Sequence, residues 1–330
     1  MRATPLLRGL SILCLGMLSL AATVQAQSPA PAWPTRPGTV VQGYPAGSAI
    51  DIVTRHLAAH LQKTTGQTFI AEVKTGALGN IAAQYVARAK PDGSTILLTA
   101  NATHAANIHL FKNLGFDPVK DFVPVTTLHS LGFLLLINPA RVPVTNVAGL
   151  LEHIKNQNGK ASYGTGSASA RVASELLLQI RGDLKATNVP YKGSSQAMSD
   201  LMSGQLDFIF ADPGSALGHI RAGTLRALAV TNKERVPCAP DVPTMSEAGV
   251  PGYDLTSWFA VFLPAGTPQP IATRLATLAN EAFQTDEGKA IEKNLCLSSF
   301  PGSPASLARL VETDTAKWGQ IIKRAGIEAQ

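Results

Sequence analysis

The stretch with the clearest chemical potential is YPAGSAID, residues 44–51. Its proline and glycine end a predicted strand, and Ser48 with Asp51 has the S-x-x-D spacing of a helix-capping box, which predicts a helix over 48–64. A turn of this kind directs unpaired backbone N–H groups and the positive end of a helix dipole at one place. The chemistry it offers is the capture of a carboxylate or phosphate.

A second loop of the same kind, GTGSAS at 164–169, is small, rich in hydroxyl groups and placed at a predicted helix start. It lacks the Gly-Lys-Ser/Thr ending of a P-loop, and Ser169 stands where G-x-G-x-x-G needs its third glycine. Asp212 is either a helix cap or an acceptor for a ligand hydroxyl or amine, and His104 lies in a further loop. The candidate binding loops are therefore 43–51, 101–107, 164–169 and 212–215.

Constellations for catalysis or metal binding are missing from the sequence. His56 and His60 have the spacing of a zinc pair on a helix, but Leu57 replaces the glutamate of H-E-x-x-H and no third ligand is evident. There is no G-x-S-x-G elbow and no motif of paired carboxylates. We therefore expect a binding protein rather than an enzyme, with no metal and no cofactor.

The first 26 residues have the pattern of a secretory signal peptide: Arg2 and Arg8, an apolar run over 10–20, and a small-x-small site over 24–26. Cleavage is predicted after Ala26, which would lower the formal net charge from +6 to +4 by removing the two arginines. The weakly basic remainder has no Lys/Arg cluster for nucleic acid. A soluble, exported protein is expected.

The elements that position the candidate loops alternate between strand and helix along the whole chain. This alternation predicts parallel sheets with helices on both faces and ligands at the carboxyl ends of the strands. A mature chain of about 304 residues favours two lobes. In an oxidising compartment, Cys238 and Cys296 are either a disulfide or two unpaired residues, and the sequence leaves both open.

The motifs of the chain resemble those of a known family, the Bug (Bordetella uptake gene) receptors. These TctC-like proteins are the extracytoplasmic solute receptors of the tripartite tricarboxylate transporter system. Each motif is weak alone, but their order and spacing over nearly the whole mature chain are specific. They are WPTRP 33–37, YPAGSAID 44–51 with Arg55, GALGN 76–80, KPDG 90–93, FDPVKDF 116–122, VPYKG 189–193, GQLD 204–207 with Asp212, PDVPT 240–244 and EAG 247–249.

The resemblance implies a two-lobed periplasmic binding protein of type II-like α/β fold, with a mainly parallel sheet in each lobe and a cleft between the lobes. Lobe 1 would comprise 27–127 plus 251–330 and lobe 2 would comprise 128–250, with hinges near 128–133 and 250–256. A monomer would hand a small carboxylate to membrane permease subunits. The expected ligand contacts are Tyr44, Ala46, Gly47, Ser48, Ala49, Asp51, Asn101, His104, Gly164, Thr165, Gly166, Ser167, Ser169 and Asp212.

Two residues depart from the family pattern, since Ser48 and Leu78 each replace a usual glycine, and both changes would reshape the pocket. Two other functions stay open. A receptor of this kind could report to a membrane sensor instead of a permease, and an enzyme would have to use His104 or Asp212.

Overall fold

The computed structural model describes residues 33–180, 182, 184–191, 193–324 and 326–329, with no description of the Ala168 side chain. The predicted signal peptide therefore lies outside the described residues. Among the described helices, none combines the length and the apolar character needed to cross a membrane.

The first of two sheets, sheet A, has six strands in the spatial order β11-β4-β10-β3-β1-β2. The predicted parallel pairing is present where β1 pairs with β2 and β3, whereas β10 runs antiparallel to both β3 and β4. The strands are β1 Gly38–Gln42, β2 Phe69–Val73, β3 Thr95–Ala100, β4 Phe122–Leu131, β10 Ser257–Pro264 and β11 Ser298–Ser299.

The second sheet, sheet B, has five strands in the order β7-β6-β8-β5-β9. Here β6 is parallel to β7 and β8, and β5 is antiparallel to β8 and β9. Both sheets are thus mixed, because the strand that follows each crossing, β5 in sheet B and β10 in sheet A, runs antiparallel to both of its neighbours. The strands are β5 Leu134–Ile137, β6 Ser162–Thr165, β7 Thr187–Pro190, β8 Phe208–Ala211 and β9 Arg226–Val230.

Helices cover both faces of each sheet. The first helix starts one residue later than predicted and ends one residue later, at an αL glycine, Gly66. The helices are α1 Ala49–Thr65, α2 Asn80–Ala87, α3 Asn107–Leu110, α4 Val147–Asn156, α5 Ala168–Ile180, α6 Ser194–Met202, α7 Pro213–Arg221, α8 Gln269–Ala282, α9 Asp286–Leu295 and α10 Pro304–Arg324.

Alternating side chains divide each strand between two hydrophobic clusters. In β10, Phe259 and Val261 pack with α1 and α8, while Ala260 and Phe262 face the opposite side, with α2 and α10. The strands of sheet B alternate in the same way, and one face of each sheet contributes to a single cluster. The two-residue period of an extended chain therefore builds a core shared by both sheets.

The chain crosses between the sheets twice, and Thr231 joins the two crossings. Its backbone N–H donates to Phe133 O (3.0 Å), and its Oγ1 accepts from Phe133 N–H (2.9 Å) and donates to Leu255 O (2.8 Å). Gly132 lies so close to the Asn232 side chain that a Cβ there would displace it. The first crossing follows Leu131, because the end of β4 still pairs with β10 and β11.

A disulfide bond between Cys238 and Cys296 provides a further link, with 5.5 Å between the Cα atoms. Of the two alternatives, the structure has the bonded one. Cys296 ends α9, a helix whose Ile291 and Leu295 pack against the sheet A cluster, but Cys296 itself belongs to the sheet B cluster. The disulfide therefore ties the crossing segment 231–256 to a helix that packs on the other sheet.

We expect Cys238→Ser to lower the free energy of unfolding by about 2–4 kcal/mol, because the bond closes a long loop in the unfolded chain. Denaturant unfolding with and without dithiothreitol measures this. The reductant should destabilise the wild-type protein to the level of the variant and leave the variant unchanged. Equal stability of the oxidised wild type and the variant would contradict the expectation.

Candidate ligand-binding site

The loop after β1 is organised around the carboxylate of Asp51, a residue in the first turn of α1. Its Oδ2 accepts from Gly47 N–H (2.9 Å) and Arg55 Nε (3.0 Å), and its Oδ1 accepts from Gln42 Nε2 (3.2 Å). Burial alone would raise the pKa of Asp51, but these hydrogen bonds outweigh it and lower the pKa below its usual value. Asp51 is therefore held ionised at neutral pH and fixes the shape of the loop.

The predicted capping box is only half present. Ser48 is the N-cap of α1, but its side chain caps nothing, and its buried Oγ has no hydrogen-bond partner among the described residues. The reciprocal half has moved by one residue, since Asp51 bonds Gly47 N–H instead of the Ser48 N–H, which donates to Pro45 O (3.2 Å). The expected capping role of Ser48 is wrong, and its hydroxyl remains available.

Free backbone donors are present at the start of α1. Within the described chain, the first N–H of this helix with a backbone acceptor is that of Ile52, which donates to Ser48 O (3.1 Å). The N–H groups of residues 49–51 precede it and are the unpaired donors of a helix N-terminus. Ala46 and Gly47 are exposed beside them, and Ser48 and Ala49 are half-buried.

Three strand-end loops of sheet A touch one another. Tyr44 Oη lies 3.3 Å from Thr103 Oγ1, which is 2.7 Å from Thr99 Oγ1. A Cβ on Gly43 would lie 2.6 Å from the Cα of Gly79. Because β1, β2 and β3 run parallel, their following loops 43–48, 74–79 and 101–106 share one edge of the sheet.

Asn101 and His104 are both fully buried in the turn after β3. Asn101 Oδ1 accepts from Ser257 Oγ (2.5 Å), whereas its Nδ2 has no partner in the described chain. The His104 ring stacks on Phe262, with 3.9 Å between centroids, and meets Phe122 edge-on. Burial lowers the pKa of His104 to about 3. The structure thus places His104 in the aromatic core, unlike the predicted loop contact, and its burial argues equally against the enzyme that would use it.

The second predicted loop follows β6 of sheet B. Gly164 and Thr165 belong to the strand itself, and Thr165 Oγ1 donates to Asn188 Oδ1 (2.8 Å). Ser167 Oγ accepts from Ala170 N–H (3.1 Å), which is an N-cap interaction for α5. Ser169 is buried in the first turn of this helix.

Gly166 touches the backbone of Gly193 and Ser194 so closely that it leaves no room for a Cβ. The loop that precedes α6 therefore contacts the predicted binding loop 164–169. Sequence reasoning missed this loop and Ser257, whereas Thr103 lies in the predicted loop 101–107 but is not among the expected ligand contacts. The available signal was position, because 191–194 also follows the carboxyl end of a parallel strand.

Asp212 is the N-cap of α7, but its side chain makes no capping hydrogen bond. Instead its backbone oxygen accepts from Ser215 N–H (3.2 Å) and Ser215 Oγ (2.8 Å). Burial raises the pKa of Asp212 above its usual value. The half-buried carboxyl group therefore does not cap the helix.

The histidine pair of α1 has structural contacts. His56 is buried, with its Nε2 2.8 Å from Ala282 O, and His60 Nε2 lies 3.3 Å from Thr64 Oγ1. Within the part of the chain that the structure describes, no three His, Cys, Asp or Glu side chains gather as metal ligands.

Two mixed sheets flanked by helices, with helix-starting loops at the strand ends of each, are the architecture of two-lobed solute-binding proteins, the class to which the similar solved structures belong. The sequence profile described as "Tripartite tricarboxylate transporter family receptor" matches residues 53–327. The chain belongs to this family. The predicted Bug-type resemblance is confirmed, and a receptor rather than an enzyme is what this membership establishes.

Three solved structures are similar to the chain. Rpa4515 of R. palustris with adipate is 35% identical in sequence and has a TM-score of 0.83. The matched region covers 90% of this chain and 100% of Rpa4515. The periplasmic binding protein BugD is 31% identical, with 90% and 100% coverage and a TM-score of 0.79. MatC of Rhodopseudomonas palustris with bound malate is 31% identical, with 88% and 100% coverage and a TM-score of 0.77.

The buried imidazole predicts a specific pH dependence. Because the unfolded chain protonates His104 near its usual pKa of about 6.5 and the folded chain only near pH 3, stability should fall as pH decreases from 6.5, by up to about 1.4 kcal/mol per pH unit. His104→Phe keeps an aromatic ring and removes this contribution. Denaturant unfolding at pH 7, 6 and 5 compares the two, with the values at pH 7 correcting for altered packing. Parallel pH profiles would contradict the placement.

Proposed function

We propose that this receptor binds a small dicarboxylate between its two sheets. One carboxylate is held at loop 45–51 of sheet A and the ligand is closed in by loop 164–169 of sheet B. The observation that carries the proposal is that each sheet presents, at the carboxyl ends of its parallel strands, a small-residue loop that opens a helix of thirteen residues or more. Unpaired N–H groups at such helix starts suit an anion.

The similar structures support the ligand class. The Rpa4515 structure was solved with adipate and the MatC structure with malate, and both ligands carry two carboxylates. The donors available here are the N–H groups of 49–51 and the unpartnered hydroxyl of Ser48. Asp212, without a capping role, is suited to accept from a ligand hydroxyl or from a protonated second carboxyl group.

The proposed cleft lies between lobe 1, residues 33–131 plus 257–329, and lobe 2, residues 134–250, with the joined crossings as the hinge. Donors from both lobes are satisfied together only when the lobes close, so ligand binding would favour the closed state. The closed monomer would then deliver the ligand to the permease subunits of a tripartite tricarboxylate transporter. Export to the periplasm, with cleavage after Ala26, belongs to the same proposal.

A thermal-shift screen of residues 27–330 tests this function. The protein is refolded from denaturant to remove any bound ligand and is mixed with C4–C6 dicarboxylates, monocarboxylates, amino acids and sugars. A ligand at a hundred times its Kd adds about 2.7 kcal/mol, which raises the Tm by about 4 °C for a chain of this length. A shift with dicarboxylates alone is expected, and a shift with sugars alone would contradict the proposal.

Asp51→Ala should reduce both stability and affinity. The change leaves Gly47 N–H and the buried Gln42 amide without their acceptor, which costs about 1–3 kcal/mol, and it releases the loop that presents the free donors. Calorimetric titration with the ligand found in the screen, together with denaturant unfolding, measures both effects.

Arg55→Ala is the matched control, because it removes only the exposed partner of the same carboxylate. Its effect on stability should stay below about 1 kcal/mol, and its affinity should remain close to that of the wild type. If Asp51→Ala bound ligand as tightly as Arg55→Ala, the role of the loop in binding would be wrong.

A further inference from the structure

The loop after β2 contains a run of left-handed backbone. Gly76, Ala77, Leu78 and Gly79 have φ values of 136°, 45°, 55° and 93°. Glycine adopts such values readily, but a Cβ makes them unfavourable. Two consecutive residues with side chains are therefore held in a conformation that suits glycine.

The surroundings impose this conformation. Asn107 Nδ2 donates to Leu78 O (3.1 Å) and to Asn80 Oδ1 (2.7 Å), and Gly79 N–H donates to Gly76 O (3.0 Å). These hydrogen bonds use backbone atoms of the loop or the side chains of Asn80 and Asn107, and none of them involves the Leu78 side chain. A glycine in place of Leu78 would keep every one of them and would relieve the strain.

Packing of the Leu78 side chain in the core does not offset the energetic cost of this backbone conformation. It is 39% exposed, and it belongs to none of the hydrophobic clusters among the described residues. Strained residues that persist without a stabilising role concentrate at ligand clamps and active sites. Here the leucine side chain needs an explanation outside the stability of the fold.

The position of the loop supplies one. Gly79 adjoins Leu78 and lies against Gly43 and the Tyr44 ring, so the backbone at Leu78 is next to the loop proposed to hold the carboxylate, and its side chain is partly exposed. Resting on that proposed function, we infer that Leu78 is a specificity-determining residue that contacts the aliphatic chain of the ligand. The preferred ligands are then dicarboxylates with several methylene groups, such as adipate, over short hydroxylated ones, such as malate.

Calorimetric titration of Leu78→Gly with adipate and with malate tests the inference, and Ala77→Gly is the matched control. Both variants remove one side chain from the same left-handed run, and circular dichroism melting confirms that both fold. We expect Leu78→Gly to weaken adipate binding about tenfold, the loss of roughly two buried methylene groups, and to change malate binding less than twofold. Ala77→Gly should change neither.

Equal adipate affinities of Leu78→Gly and Ala77→Gly would overturn the role of Leu78. Tighter binding of malate than of adipate by the wild type would overturn the ligand preference and leave the proposed dicarboxylate receptor intact. Failure of the wild type to bind any dicarboxylate in the thermal-shift screen would instead remove the proposed function and this inference with it.

Discussion

The arrangement of the two sheets depends on the joint at Thr231. One residue uses its N–H, its carbonyl and its hydroxyl to fasten the outgoing crossing at Phe133 to the returning segment at Leu255. All of these groups are buried, so each would be costly to leave unpaired. Together with the shared core and the disulfide, this joint fixes the relative position of the strand-end loops on the two sheets, and Gly132 lies against the Asn232 side chain beside it.

The proposed binding site has an acidic residue, Asp51, beside the backbone donors that would hold an anion. The negative charge of Asp51 is compensated by its neighbours, because Gly47, Gln42 and Arg55 all donate hydrogen bonds to its carboxylate. The donors that remain unpaired belong to the first turn of α1, where the helix dipole is positive. The carboxylate therefore acts as a scaffold for the loop and leaves the adjacent backbone N–H groups unpaired.

Much of the fold could be predicted from local patterns, because strand alternation and helix caps depend on residues that are close in sequence. Helix α1, for example, begins and ends only one residue later than predicted. Features that depend on tertiary contacts could not. His104 looked like a polar loop residue, but Phe122 and Phe262 come from distant strands. The same holds for Asp51, which accepts from Gly47 N–H instead of Ser48 N–H. Its other oxygen accepts from Gln42, a buried residue at the end of β1.

The strand order of sheet A has a consequence for folding kinetics. The strand β10, which lies between β3 and β4, is contributed by residues 257–264, more than a hundred residues after its two neighbours. During synthesis, β3 and β4 must wait for it with their edges unpaired, and such distant pairing makes folding slow. Sheet A can therefore be completed only after residue 264 has been synthesised, whereas all strands of sheet B lie within 134–230 and precede β10 in the chain.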